Sequence, residues 1–165
     1  MLKKIALVIL LLFIAVQFIP YEKNTSEAAP QPMSGSYNIP DNVQILLENA
    51  CNNCHTNSSE YPWYASVEPI GYWLNSHIQD GKRHLNFDEF THKPLAWQNH
   101  KFEETIEMVE EKEMPLPSYT YLGLHPEANL SDAERQMIID WAQDQMNYLK
   151  ATYPADSLVM KRRAP

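Results

Sequence analysis

The chain has 165 residues, 44% of them hydrophobic, which is enough for one modest core and argues for a single domain. Its formal net charge is −8, so it lacks the clustered Lys and Arg that nucleic-acid phosphates demand, and nucleic acid is excluded as a partner. Only four glycines occur and they form neither of the recognised glycine-rich phosphate loops, which removes the common nucleotide-binding classes.

Lys3 and Lys4 precede an apolar run from Ile5 to Ile19 that is broken only by Gln17. This is the layout of a secretory leader, and residues 1–20 are expected to act as a signal or membrane-anchor segment. The run is shorter than the roughly 20 residues a spanning helix usually needs. Even so, snorkelling lysines and Tyr21 at the interface favour an uncleaved anchor over residues 5–19. The alternative is cleavage at the small-x-small stretch Ser26, Glu27, Ala28, which would release a soluble periplasmic protein. Lysines on the amino side keep that end cytoplasmic, so the rest of the chain is expected at the periplasmic face of the inner membrane. No cysteine follows the run directly, which rules out a lipoprotein anchor. Residues 21–40 contain three prolines and little apolar periodicity, and read as a flexible tether.

From Asp41 the pattern turns helical. Val43, Leu46, Leu47 and Ala50 fall on one face, with Asp41 and Gln44 as a capping box, and the helix runs into Cys51. Ile70, Trp73, Leu74, His77 and Ile78 mark a second helix, with Pro69 near its start and Gly81 past its end. Phe102, Ile106 and Val109 mark a third, surrounded by Glu103, Glu104, Glu107, Glu110 and Glu111. Pro115 and Pro117 stop it at about Met114. Ser131 to Glu134 form a capping box that opens a last helix carrying Met137, Ile138, Trp141, Tyr148 and Leu149 before Pro154. No alternating strand and no repeat is found, so residues 41–150 are expected to be one all-α domain, with residues 151–165 as a frayed tail ending in Lys161, Arg162, Arg163, Ala164 and Pro165.

The only two cysteines lie in CNNCH, residues 51–55. Two thiols and His55 fall short of the four ligands of a structural zinc site, and adjacent Cys54 and His55 chelate awkwardly. A thioredoxin-type dithiol wants a βαβ setting that is missing here. A structural disulfide would close a tiny loop for little entropic gain. The reading that uses all three groups is covalent haem attachment, with Cys51 and Cys54 bonded to the haem vinyl groups and His55 under the iron.

A low-spin haem of this kind takes a second axial ligand, often methionine. Met114 is the candidate, since it follows the third helix and is stiffened by Pro115, whereas Met108, Met137 and Met146 fit core filling. His77, on the apolar stripe of the second helix, is the rival, ahead of His84, His92, His100 and His125. Tyr61, Trp63, Tyr64, Trp73 and Trp97 read either as haem walls or as core. Arg83 is the candidate cation for a propionate, against a solvated surface role.

The blocks CNNCHTNSSEYPWY, HIQDGKRHLNF, KEMPLPSY and LHPEANLS, in this order, resemble the bacterial haem-binding domain family over roughly residues 41–150. The helix into CNNCH, the Met114-Pro115 loop and the closing amphipathic helix are also similar to class I cytochrome c. The resemblance implies a cytochrome c-like helical domain around one covalent haem c, with Cys51 and Cys54 as attachment sites, His55 as proximal ligand and Met114 as distal ligand, and no established enzymatic activity. The segment from His77 to His100 departs from a minimal cytochrome c. The expected function is a membrane-tethered monohaem c-type cytochrome that passes single electrons to a redox partner protein, a basic one given the glutamates around Met114. The alternative is a haem peroxidase or a gas or redox sensor with a labile distal ligand.

Overall fold

In a computed structural model, which describes residues 1–160, the Ser131 hydroxyl accepts from the Glu134 N–H while the Glu134 carboxylate accepts from the Ser131 N–H at 2.8 Å. This reciprocal cap starts the longest helix, as its sequence predicts. Seven α-helices form among the described residues: α1 Leu2–Val16, α2 Asp41–Ala50, α3 Asn52–His55, α4 Ile70–His84, α5 Leu95–Glu110, α6 Pro117–Thr120 and α7 Asp132–Thr152. Short 3-10 turns fill the connections, and only two isolated β-bridges occur, so the domain is all-α.

α5 and α7 pack along one another and carry the core. Phe102 of α5 meets Trp141 of α7 edge-to-face at 5.7 Å, and Ala142, Met146 and Leu149 continue the seam. Val43 and Leu47 of α2 close the same cluster, whereas Leu46 joins Val109 and Ile138 in a second one. These are the residues whose 3.6-residue periodicity marks the helices in the sequence. The fully buried aromatic and aliphatic side chains contribute about 1.5–3 kcal/mol each.

Several local expectations are corrected. Asp41 is the first helical residue of α2 and Pro40 the cap, with no side-chain cap bond, so Asp41 and Gln44 do not form a box; the Gln44 amide donates to Glu48 instead. The third helix ends at Glu110, before the prolines, because Lys112 takes a left-handed turn with φ 61°.

Residues 21–40 do not hang free. Asn24, Met33 and Tyr37 are buried, the Tyr37 hydroxyl donates to Gln98 at 2.5 Å, and the Trp141 indole donates to the Asn38 carbonyl. The prolines rule out a helix here, but Met33 and Tyr37 still carry enough apolar surface to dock the extended chain on the α5 and α7 core. In the tail, α7 runs on to Thr152 and Leu158 is buried against the same core, while residues 151–156 stay exposed, so the chain after α7 is pinned at Leu158. The five residues from Lys161 onward lie outside the described residues.

α1 buries none of its residues, so its apolar side chains find no partner in the domain. At 15 residues it is about 22 Å long. No helix among the described residues is long and apolar enough to cross a membrane.

Gly81 is a further correction. It lies inside α4, which runs to His84, and does not end a helix. A Cβ there would stand 2.8 Å from the Cys54 carbonyl oxygen and 3.3 Å from the Cys54 Cβ, so glycine is what allows α4 to lie directly on α3. Overpacking of this kind costs about 1–3 kcal/mol. Gly81→Ala is therefore expected to lower the urea midpoint accordingly. Gly35→Ala, where the nearest atom is 3.9 Å away, should leave it nearly unchanged. Equal midpoints for the two variants would show that the α3 and α4 contact is not tight.

Candidate functional site

α3 is a single turn, too short to hold itself by backbone hydrogen bonds alone, and its neighbours fix it. The His55 carbonyl accepts from the Phe87 N–H at 2.7 Å. The His55 ring is held on its other side, with Nδ1 2.9 Å from the Leu85 carbonyl. A carbonyl only accepts, so Nδ1 carries the proton and Nε2 keeps its lone pair. That is the arrangement in which a histidine serves as a metal ligand. Burial holds the His55 pKa below its ordinary value, which favours the neutral, coordinating ring.

His55, Cys51 and Cys54 line one cleft of about 720 Å³, and Met114 lines the same cleft. Its walls come from α2, α3, α4, α5 and the loop through Met114 to Leu124, so residues from most of the chain meet there. The volume lies within the roughly 300–1,000 Å³ usual for ligand and cofactor sites. The lining is largely apolar, including Leu47, Leu74, Leu85, Phe87, Val109 and Leu116. A flat apolar macrocycle with one imidazole, one thioether and two thiols within reach fits this donor set. A zinc site fits poorly, since no three His, Cys, Asp or Glu side chains converge as a metal cluster among the described residues.

Met114 is half-buried, and its loop is pinned from α7. One guanidinium nitrogen of Arg135 donates to the Met114 carbonyl at 2.6 Å and to the Val109 carbonyl at 3.2 Å, tying the end of α5 to the loop. The Met114 N–H donates back to the Met108 carbonyl. Met108 also lines the cleft, so it is more than core filling.

His77 lines the cleft as well, with Nδ1 at 2.9 Å from the Trp73 carbonyl. His84 borders it from an exposed position. His92 is exposed, and His100 lies between Glu103 and Glu104 away from the lining. His125 is buried outside the lining. It stacks on Tyr119 at 3.9 Å, with Nε2 2.7 Å from the Tyr64 hydroxyl and Nδ1 3.1 Å from Glu127. It therefore braces two tyrosines of the cleft wall.

The aromatic residues divide between their two readings. Trp63, Tyr64 and Trp73 line the cleft, whereas Tyr61 hydrogen-bonds Asn24 and Asn75, and Trp97 packs on Phe90. Arg83 does not line the cleft itself, but it pairs with Asp80, which does. Lys101, paired with Glu104, is the cation in the lining. Sequence reasoning missed Lys101, Arg135 and Tyr119. Of these only Arg135 carried a trace, as the residue after the α7 capping box.

Cys51 and Cys54 are both free and half-buried. Removal from water penalises their thiolates and pushes their pKa values up to about 12 and about 11. The thiolate is the nucleophile, so at pH 8 both should resist alkylation in the haem-free folded chain. Iodoacetamide is expected to modify them more than about 100-fold slower than it modifies the urea-unfolded chain, whose thiols titrate near 8.5. Equal rates would show that the cleft does not shield them.

The family model described as Haem-binding domain matches residues 11–144. Comparison with curated proteins and with solved structures gives no match. With a half-buried imidazole, a thioether and two thiols on one apolar cleft and most of its length matched, the chain belongs to the haem-binding domain family.

Proposed function

We propose that the protein is a monohaem c-type cytochrome, anchored by α1 at the periplasmic face of the inner membrane, that passes single electrons. The observation that carries this reading is the convergence of Cys51, Cys54, His55 and Met114 on one apolar cleft, with the His55 ring already oriented by Leu85. Cys51 and Cys54 would supply two thioether links, and His55 Nε2 the proximal bond. Bound there, the haem supplies an iron that gains and loses one electron at a time.

Met114 is the better distal ligand on geometric grounds. Met114 and His55 would hold the haem from different parts of the fold, whereas α4 lies on α3 through Gly81 and Cys54. His77 is one turn from Gly81 on that helix, so it shares the wall that carries His55. Met114 comes from a separate element, in the loop after α5 and under the hold of Arg135. A thioether ligand favours the reduced iron and raises the potential relative to two histidines. Apolar walls exclude water, and the cleft mouth leaves a route to a partner. Glu104 and Glu107 border the cleft on α5 and would favour a basic redox protein.

Attachment is tested on protein matured in a competent periplasm. The unfolded chain should keep a c-type pyridine haemochrome, and Cys51→Ala with Cys54→Ala should lose it. A colourless matured chain would contradict the reading.

Ligation is tested in the ferric protein, where sulfur coordination gives a weak red charge-transfer band. Met114→Ala should abolish the band with haem still attached. Arg135→Ala should weaken it and lower stability by about 1–3 kcal/mol, because two carbonyls lose a charged donor. If His77→Ala alters the band and Met114→Ala does not, the distal assignment passes to His77.

A further inference from the structure

We infer that the haem domain rests on the same bilayer that takes α1, with Tyr72 and the outer faces of Trp63, Ile70 and Trp73 seated in its interfacial zone, so that the cleft mouth opens beside the membrane surface. The inference rests on the anchor reading above.

The first support is the junction of α1 with the domain. The Gln17 side-chain amide donates to the Glu68 carbonyl at 2.9 Å, and its oxygen accepts from the Glu68 N–H at 3.0 Å. The Tyr21 hydroxyl donates to the Ala65 carbonyl, and the Tyr21 ring meets Tyr72 edge-on at 6.4 Å. A helix joined through a free linker would leave the orientation of the domain open. Here the chain leaving α1 is stitched to residues 65–72, so whatever surface receives α1 also receives that face.

The second support is the face itself. Trp63 is 78% exposed, Tyr72 59%, Trp73 45% and Ile70 44%. Trp63, Ile70 and Trp73 border the cleft, so a bound haem would cover part of them, but Tyr72 lies outside the lining. Glu68 is the only acidic or basic residue from Tyr61 to Ser76. It is turned inward, 7% exposed, with Oε2 accepting from the Tyr72 N–H at the start of α4. The stretch thus shows no charge to its surroundings. Tryptophan and tyrosine favour the headgroup level, where the ring is apolar and its N–H or O–H stays wet. Four exposed apolar and aromatic residues around the start of α4, beside an apolar helix with no buried residue, match a bilayer interface better than water. The glutamates of α5 border the cleft on its other wall, which leaves the acidic side to aqueous partners.

The test uses the full chain, matured with haem and reconstituted into phosphatidylcholine and phosphatidylglycerol vesicles. A nitroxide is placed at Tyr72→Cys, at Ser66→Cys in case loss of Tyr72 disturbs the face, and at Glu111→Cys, exposed just past the end of α5. Collisions with lipid-enriched oxygen and with a water-soluble nickel chelate are then compared. Labels at 72 and 66 should show several-fold less nickel relaxation than the label at 111, with oxygen relaxation raised. If the chain floats with the vesicles and all three labels are equally nickel-accessible, the domain stands off the bilayer and the inference is wrong. Spin-spin broadening at 72 would mean that a second copy covers the face, which also overturns it. A chain that does not float would remove the anchor reading and the inference together.

Discussion

Direct contact between Gly81 of α4 and the carbonyl of Cys54 is the constraint on which the site depends. α3 has one turn and no core of its own, so the geometry of CNNCH is borrowed from the helix laid against it. Once α4 sits at that distance, its end brings the Leu85 carbonyl to the Nδ1 proton of His55, and Phe87 closes on the His55 carbonyl. Two backbone contacts then set the ring without any acidic partner. A neutral carbonyl, in place of a carboxylate, leaves the imidazole less electron-rich, which bears on the potential of any iron bound to it.

The opposite wall is built by different means. Just past α5 stands a left-handed residue, Lys112, and the chain reverses towards Met114. Nothing in that loop is a regular element, so its position rests on α7, which reaches across with Arg135 to two carbonyls at once. A capping box at Ser131 fixes the first turn of α7 and so the place from which Arg135 projects. The cap, the arginine and the methionine form one mechanical chain, and the cleft is held open between it and the α3 and α4 wall. Tyr64, Tyr119 and His125 brace the mouth, with the stacked Tyr119 and His125 pair linking the α6 region to the turn that carries Trp63.

Helical periodicity made the all-α class legible, and the reciprocal Ser131 and Glu134 signature made the start of α7 legible to the residue. CNNCH raised the haem reading because covalent attachment would need those residue types at that spacing, and Met114 stood out because it stands beside Pro115, although α5 itself ends at Glu110, before the prolines. What the chain order hid was set by contacts between distant segments. Gly81 read as a helix stop because glycine usually serves there, whereas here its missing Cβ makes room for a backbone 27 positions earlier. Prolines in residues 21–40 suggested a tether, but proline excludes only regular elements and not burial of Met33 and Tyr37. Arg83 was the visible cation, yet it reaches the cleft only through its partner Asp80, while Lys101 on another helix lies in the lining itself.

A docked 21–40 segment changes how the protein would work at a membrane. With Gln17 and Tyr21 bonded to the domain, the haem cleft would hold a set orientation with respect to α1 and would not sweep a hemisphere on a loose linker. Encounter with a partner would then depend on lateral diffusion and on the acidic wall of α5. All of this stands on the claim that one haem is bonded to CNNCH, and intact-mass and peptide mass spectrometry of the matured chain measures that directly. The account predicts a gain of one haem per chain, carried by the peptide that holds Cys51 and Cys54. A matured chain at its unmodified mass, or a haem adduct on any other peptide, would contradict it.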